Sequence, residues 1–180
     1  MRAASGGLLL AGSTLLSACS IFSPLPAWEL IKATGSAGST ALAYGASKAS
    51  QTVHHGDAQV TALCIEYRSE APAHELVPAL QAELRELHIS SRVFEGGGPA
   101  QADCKVWLRY AVQVQWGVPP MGSSYQAYIS SASLSLHQAD GRLMASSSYQ
   151  LDERFGMGRW ASPRSKLAPV VKALITGFEN

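Results

Sequence analysis

The chain has 180 residues, of which 47% are hydrophobic and 15% are charged, and its formal net charge is +1 at pH 7. This apolar content is sufficient for one hydrophobic core, and a near-neutral total argues against a nucleic-acid-binding protein. The charge is uneven, because residues 66–103 carry seven acidic and three basic side chains and residues 142–172 carry six basic and two acidic ones. A solvated surface is the simplest interpretation of the basic segment, and contact with an anionic surface is the alternative.

The N-terminus has the layout of an export signal. Arg2 supplies one positive charge, and an apolar run follows over residues 8–16. A run of about ten residues fits a secretory signal, which has an apolar region of about 7–15 residues. It is shorter than the roughly 20 residues that a membrane-spanning helix needs. The run ends in Leu-Ser-Ala-Cys at residues 16–19, where small residues precede a cysteine at the expected cleavage position.

This tetrapeptide resembles the lipobox of bacterial lipoproteins at every position. The resemblance implies that residues 1–18 are a signal peptide and that Cys19 receives acyl chains such as palmitate on its sulfur and its new amino terminus. Ser20, where some members have Asp, implies delivery to the outer membrane in lipoproteins of enterobacterial type. An ordinary secretory signal cleaved after Ala18 is the alternative interpretation.

Residues 19–57 are rich in Ala, Gly, Ser and Thr, a composition that favours a lipidated, flexible tether. Apolar residues such as Trp28 and Ile31 also permit a loose helix, so both interpretations stay open. His54 and His55 are adjacent but have no nearby cysteine or carboxylate ligand in the sequence, which favours a solvated pair over a metal site. We expect the folded periplasmic domain to occupy residues 58–180.

The hydrophobic periodicity of this domain predicts strands and helices in a defined order. A near-continuous apolar run predicts the first strand, and strict alternation over 104–116 predicts a long strand with one buried face. Asp140-Gly141 predicts a hairpin turn, and Ser162-Pro163 predicts the start of the last helix, which Gly177 ends. The predicted strands are 60–67, 90–95, 104–116, 125–137 and 142–151, and the helices are 73–88 and 163–176.

This order predicts an α+β domain with a mostly antiparallel sheet of four to five strands and two helices packed on one face. The first strand, first helix and second strand are expected to form a right-handed parallel unit. The element order resembles the small periplasmic domain of lipopolysaccharide-assembly lipoproteins and the auxiliary lipoproteins of lipid-transport ABC systems. That resemblance concerns the fold and implies no activity.

Two cysteines remain in the mature chain once Cys19 is lipidated. Cys64 lies in the first predicted strand of the domain, and Cys104 opens the long strand. Cysteine pairs tend to close in an oxidising compartment, and neighbouring strands can bring these two together. We therefore predict a disulfide, with two separately buried thiols as the alternative.

Two predicted loops, residues 117–122 and 152–161, carry large apolar side chains where the fold requires none. Such residue types, together with Arg, are enriched in protein interfaces. We expect at least one loop to bind an envelope partner, although Phe155 and Trp160 would equally be explained by packing onto the core. The candidate partner-binding residues are Val118, Pro119, Pro120, Met121, Phe155, Met157, Arg159 and Trp160.

The sequence contains no GxSxG, CxxC, HExxH or paired-carboxylate motif, so no catalytic residue, metal ligand or cofactor is predicted. The expected function is that of a non-enzymatic accessory or assembly factor of an envelope complex. This protein is expected on the periplasmic face of the outer membrane, held by the lipid on Cys19, with an envelope protein as partner. The alternatives are a lipid- or peptidoglycan-binding module and, less favoured, a periplasmic hydrolase.

Overall fold

The structure is a computed structural model that describes residues 44–45, 47–56, 59–68, 75–95, 104–154 and 156–179. Cys19 and the signal segment lie outside these residues. None of the described helices is long and apolar enough to cross a membrane. The elements are β1 (Ser50–His54), β2 (Ala62–Tyr67), α1 (Leu76–Glu86), β3 (Ser90–Glu95), β4 (Val106–Gly117), β5 (Gln126–Gln138), β6 (Leu143–Gln150) and α2 (Pro163–Thr176).

The fold is α+β, as predicted, but its sheet is larger and more mixed than the sequence indicated. Six strands lie in the order β1-β6-β5-β4-β2-β3. β2 is parallel to both β3 and β4, whereas the other neighbouring pairs are antiparallel. The additional strand is β1, which lies within the segment 19–57 that was expected to be a tether or a loose helix. The folded domain therefore begins before residue 58.

The parallel pairing of β2 and β3 follows from the helix between them. α1 runs Leu76–Glu86, inside the predicted span of 73–88, and buries Leu76, Leu80 and Leu84. Pro78 lies in its first turn, where a backbone N–H has no intrahelical acceptor, so the missing donor leaves no hydrogen bond unmade there. The connection from β2 through α1 to β3 has the expected parallel register, with Ala62 opposite Ser90.

α2 has the predicted start and stop. The Ser162 hydroxyl accepts a hydrogen bond from the Ser165 backbone N–H, Pro163 occupies the first turn, and Gly177 ends the helix with φ 78°. The apolar side of α2 packs on α1 and on β5 and β6, so both helices cover the same face of the sheet. Leu167, Val170, Val171 and Leu174 are fully buried in the resulting core.

The alternation predicted for β4 holds in the middle of the strand and fails at its ends. Leu108 and Tyr110 face the core, whereas Arg109 and Ala111 are exposed. At the start of the strand, Trp107 is buried on the opposite face with Phe94 and the cysteines. At the far end the expected buried residue Trp116 is 68% exposed, because the strand continues past the core.

Cys64 and Cys104 form a disulfide, with their Cα atoms 6.1 Å apart. The parallel register of Cys64 with Trp107 brings the start of β4 beside β2. Trp107 and Phe94 cover the bond, with ring centroids 6.1 Å apart. The disulfide thus ties the two parallel strands together on the face that carries no helix.

Replacing both cysteines by alanine should lower the free energy of unfolding by about 4 kcal/mol on the chain-entropy model, because the bond closes a loop of 40 residues. Urea denaturation measures the difference, and reductant should shift the wild-type protein while leaving the double variant unchanged. Two thiols that alkylate in unfolded, non-reduced wild-type protein would contradict the assignment.

Candidate docking surface at the end of the β4–β5 hairpin

The hairpin formed by β4 and β5 extends beyond the rest of the sheet. The registered pairs between β2 and β4 end at Leu108, and those between β5 and β6 end at Ser131. Among the described strands, residues 114–117 and 126–129 register only with each other. Four residues of strand correspond to about 13 Å. The hairpin and its loop therefore form a projection at one end of the domain.

The outer part of this projection presents large uncharged side chains to solvent. Met121 is 87% exposed, Tyr125 72%, Trp116 68% and Val118 47%. We call these four residues the hairpin tip. Residues 110–139 contain no Asp, Glu, Lys or Arg, so no charged side chain from the hairpin lies among them. An exposed apolar cluster of this kind usually marks a contact surface.

The loop at the tip is held in a defined turn. The Gly122 backbone N–H donates to the Pro119 carbonyl at 3.0 Å. A Cβ on Gly122 would lie 3.1 Å from the Pro119 ring, so a side chain at this position would require the ring to move by a few tenths of an ångström. Pro119 is buried, whereas Pro120 is exposed. The apolar side chains are therefore presented by a hydrogen-bonded turn.

The second predicted loop packs against the base of the same hairpin. Trp160 is half-buried and meets the Tyr128 ring edge-on, with centroids 5.1 Å apart. A Cβ on Gly117 would lie 3.5 Å from the Trp160 ring. The Arg159 guanidinium lies 5.6 Å from the centroid of the Tyr128 ring. The two loops thus share one end of the molecule, and Trp160 supports the hairpin from the side.

A buried lysine holds this arrangement in place. Lys166 of α2 is 1% exposed, and its Nζ donates to the carbonyls of Ile129 and Arg159 at 2.7 Å each. The same Nζ lies 5.7 Å from the ring centroids of both Tyr128 and Tyr149. Burial, together with the nearby positive charge of Arg159, lowers the pKa of Lys166 to about 8. Lys166 therefore joins the second loop, β5 and α2.

Sequence reasoning found some of these residues and missed others. The structure leaves Val118, Pro120 and Met121 exposed in the loop between β4 and β5, and Met157 is 38% exposed in the second loop. Phe155 lies outside the described residues. Lys166 was not singled out, although it lies four residues before Val170 on the apolar side of α2, and a lone lysine there indicates a buried cation. Tyr125 and Trp116 were assigned to strands rather than to a surface.

The opposite end of the domain carries an open cleft of about 820 Å³. It is lined by the starts of β2, β3 and β4, by the disulfide and by the turn after β5. Its charged side chains are Arg92, Lys105 and Asp140, which give no single dominant charge. No group of three His, Cys, Asp or Glu side chains that could hold a metal ion occurs in the part of the chain that the structure describes.

No protein-family model and no curated protein matches the chain. Among solved structures, the chain is similar to the PelC dodecamer from Paraburkholderia phytofirmans. The similarity covers 71% of this chain and 98% of that chain, with 16% sequence identity and a TM-score of 0.48. A similarity at this level supports no inference about activity, partner or assembly.

Trp160→Ser should destabilise the domain by about 2 kcal/mol, roughly half the cost of removing a fully buried aromatic ring. Met121→Ser is the matched control, because an exposed side chain at the tip should change stability by less than about 0.5 kcal/mol. Thermal and urea unfolding of both variants measure the contrast. Equal stability of the two variants would show that Trp160 does not support the hairpin.

Lys166→Met should lower the free energy of unfolding at pH 7 by about 1.5–3 kcal/mol, because two buried carbonyls lose a charged donor. Lys172→Met, an exposed lysine on the same helix, is the matched control. Since the folded-state pKa of Lys166 is about 8 and its ordinary value is 10.5, the unfolded chain binds more protons between those values.

The contribution of Lys166 to stability should therefore increase as pH rises from about 8 and return to its pH 7 value as pH falls through 8. Burial raises the pKa of Tyr149 from 10 to about 12, which acts in the opposite direction above pH 10. Urea denaturation of wild type and Lys166→Met between pH 7 and pH 10 isolates the lysine. A difference between them that stays constant over this range would contradict the assignment.

Proposed function

We propose that this chain is a lipid-anchored periplasmic protein of the outer membrane that acts as a non-enzymatic accessory or assembly factor of an envelope complex. The apolar run and the lipobox-like tetrapeptide ending at Cys19 support export and acylation. Two acyl signals on one residue give stable membrane attachment, whereas a single chain gives only marginal binding.

The observation that carries this proposal beyond the signal segment is the disulfide between Cys64 and Cys104. Disulfides persist in the periplasm and at cell surfaces and are rare where thioredoxin and glutathione keep thiols reduced. This bond is buried beneath Trp107 and joins two strands of the sheet, which is a structural rather than a catalytic position. It therefore supports the compartment that the signal segment implies.

The distribution of polar groups favours a binding role over catalysis. The pKa values of Lys166 and Tyr149 are clearly shifted, and these are the groups with which a buried active site would be built. Both side chains are buried, and the Lys166 ammonium is hydrogen-bonded to two backbone carbonyls. The exposed feature of this end is the apolar hairpin tip, which is suited to contact with another surface.

Cys19→Ser should yield an unprocessed or released protein, because no acyl chain is added, and fractionation of cell envelopes measures the loss from the outer membrane. Ser20→Asp is the matched control: it keeps the acylation site and, in a host of enterobacterial type, should move the protein to the inner membrane. A Cys19→Ser protein that is processed and fractionates like wild type would refute the anchor.

The accessory role requires a specific protein partner in the envelope. Photo-crosslinking in native envelopes should capture a specific envelope protein with the wild-type chain, and the unanchored Cys19→Ser chain should capture less of it. Turnover of an envelope substrate by purified protein, without any such partner, would instead favour a hydrolase.

A further inference from the structure

The polypeptide that carries Cys19 enters the domain at the hairpin end. β1 runs antiparallel to β6 and begins at Ser50 opposite Ser148, near the end of β6 that leads to the hairpin. The Gly45 carbonyl oxygen lies 3.2 Å from where a Cβ on Gly158 would be, in the loop that supports the hairpin. The chain on the anchor side of the domain and the hairpin tip therefore lie at the same end.

The segment between Cys19 and the domain is long enough to let this end contact the membrane, but its length does not require that contact. Cys19 precedes Tyr44, the first described residue, by 25 residues (44 − 19). A fully extended chain of that length spans at most about 90 Å. Contact between the domain and the bilayer must therefore come from a surface of the domain itself.

The hairpin tip has the chemistry of such a surface. Trp and Tyr are enriched where membrane meets water, because each combines an apolar ring with one polar group. Trp116 and Tyr125 supply these rings, and Met121 and Val118 supply apolar area between them. The absence of Asp, Glu, Lys and Arg from residues 110–139 means that no charge from the hairpin must be dehydrated on entry.

The backbone of the tip is also suited to shallow insertion. Pro119 and Pro120 have no N–H group, and the Gly122 N–H is bonded to the Pro119 carbonyl, so three of the five backbone nitrogens of residues 118–122 need no water. Along β4 beyond Ala111, the strand edge that faces away from β5 pairs with no other described strand. Those edge groups need water, which limits insertion to the tip itself.

We infer that the hairpin tip rests in the interfacial layer of the same bilayer that holds the lipid anchor. This inference rests on the proposed function, because the anchor brings the tip to the membrane. The tip fixes the orientation of the domain and directs the cleft at the opposite end away from the membrane.

The test uses the full lipidated chain, with its disulfide oxidised, on vesicles of phosphatidylethanolamine and phosphatidylglycerol. Met121→Cys carries an environment-sensitive dye, and Ala139→Cys, exposed in the turn at the opposite end, is the matched control. The label at 121 should show blue-shifted emission and several-fold stronger quenching by spin-labelled lipids than the label at 139. Replacing phosphatidylglycerol by phosphatidylcholine should leave this contrast unchanged, because the tip is uncharged. Tyr125→Cys gives the same readout if the first variant fails to fold.

A water-like signal at 121 on protein that remains attached to the vesicles overturns the inference and leaves the anchor intact. A signal at 121 that rises with protein density at constant lipid assigns the tip to a second copy and also overturns it. Burial of the label in native envelopes but not on pure lipid assigns the tip to a protein partner, with the same consequence.

If the purified chain carries no acyl group, the proposed function fails and the inference is decided separately. The unlipidated chain must then sediment with the same vesicles, and Trp116→Ser must reduce that binding several-fold while leaving the fold intact. Absence of sedimentation, or equal binding by the Trp116→Ser variant, overturns the inference.

Discussion

The antiparallel pairing of β4 with β5 is the constraint on which the rest of the structure depends. It is the longest ladder in the sheet, running from Val106 opposite Gln138 to Gly117 opposite Gln126. Its first half forms the centre of the sheet, flanked by β2 and β6 and covered by α2. Its last four pairs, from Val114 opposite Ile129 to Gly117 opposite Gln126, have no other described strand beside them. One continuous pairing therefore produces both the buried core and the exposed projection.

The junction between these two parts of the ladder is next to a buried charge. The register of the ladder shifts between Gln113 and Val114, which leaves Ser130 as the extra residue of a bulge on β5. Lys166 donates to the Ile129 carbonyl there. Burying an ammonium is costly, but two carbonyl acceptors and two aromatic faces offset the lost hydration. With a pKa of about 8, the group stays charged at pH 7 and keeps its full set of donors.

Much of the fold could be predicted from local patterns, and the differences have physical causes. The elements from 60 onward lie close to their predicted bounds, because periodicity, capping and turn residues act locally. β1 was missed because its residues, Ser-Gln-Thr-Val-His, bury little of their own and are held by pairing with β6. Alternation in β4 predicted which way each side chain points, but not where the core ends. Trp107 and Trp116 therefore departed from it.

Part of the candidate surface could also be predicted from local sequence patterns. Unpaired apolar residues around 118–121 could be recognised because no periodic element needed them. Nothing local to 159–160 indicated that Trp160 packs on Tyr128, since that contact depends on how the loop returns to the hairpin. Likewise, the two loops could be placed at the same end of the molecule only once the order of the strands in the sheet was known. Long-range position, rather than residue type, separates the supporting side chains from the exposed ones.

The two ends of the molecule along the strand direction differ in their side chains, and this difference limits which contacts each end can make. The anchor-side chain and the apolar tip occupy one end, whereas the disulfide and the charged cleft occupy the other. Transfer of the apolar tip out of water is favourable. The charged side chains of Arg92 and Lys105 beside the cleft are instead stabilised by remaining hydrated. With the proposed anchor at the tip end, the domain would present the cleft end to the aqueous compartment. On the inferred contact of the tip with lipid, a proposed protein partner would bind the cleft end or the faces of the sheet.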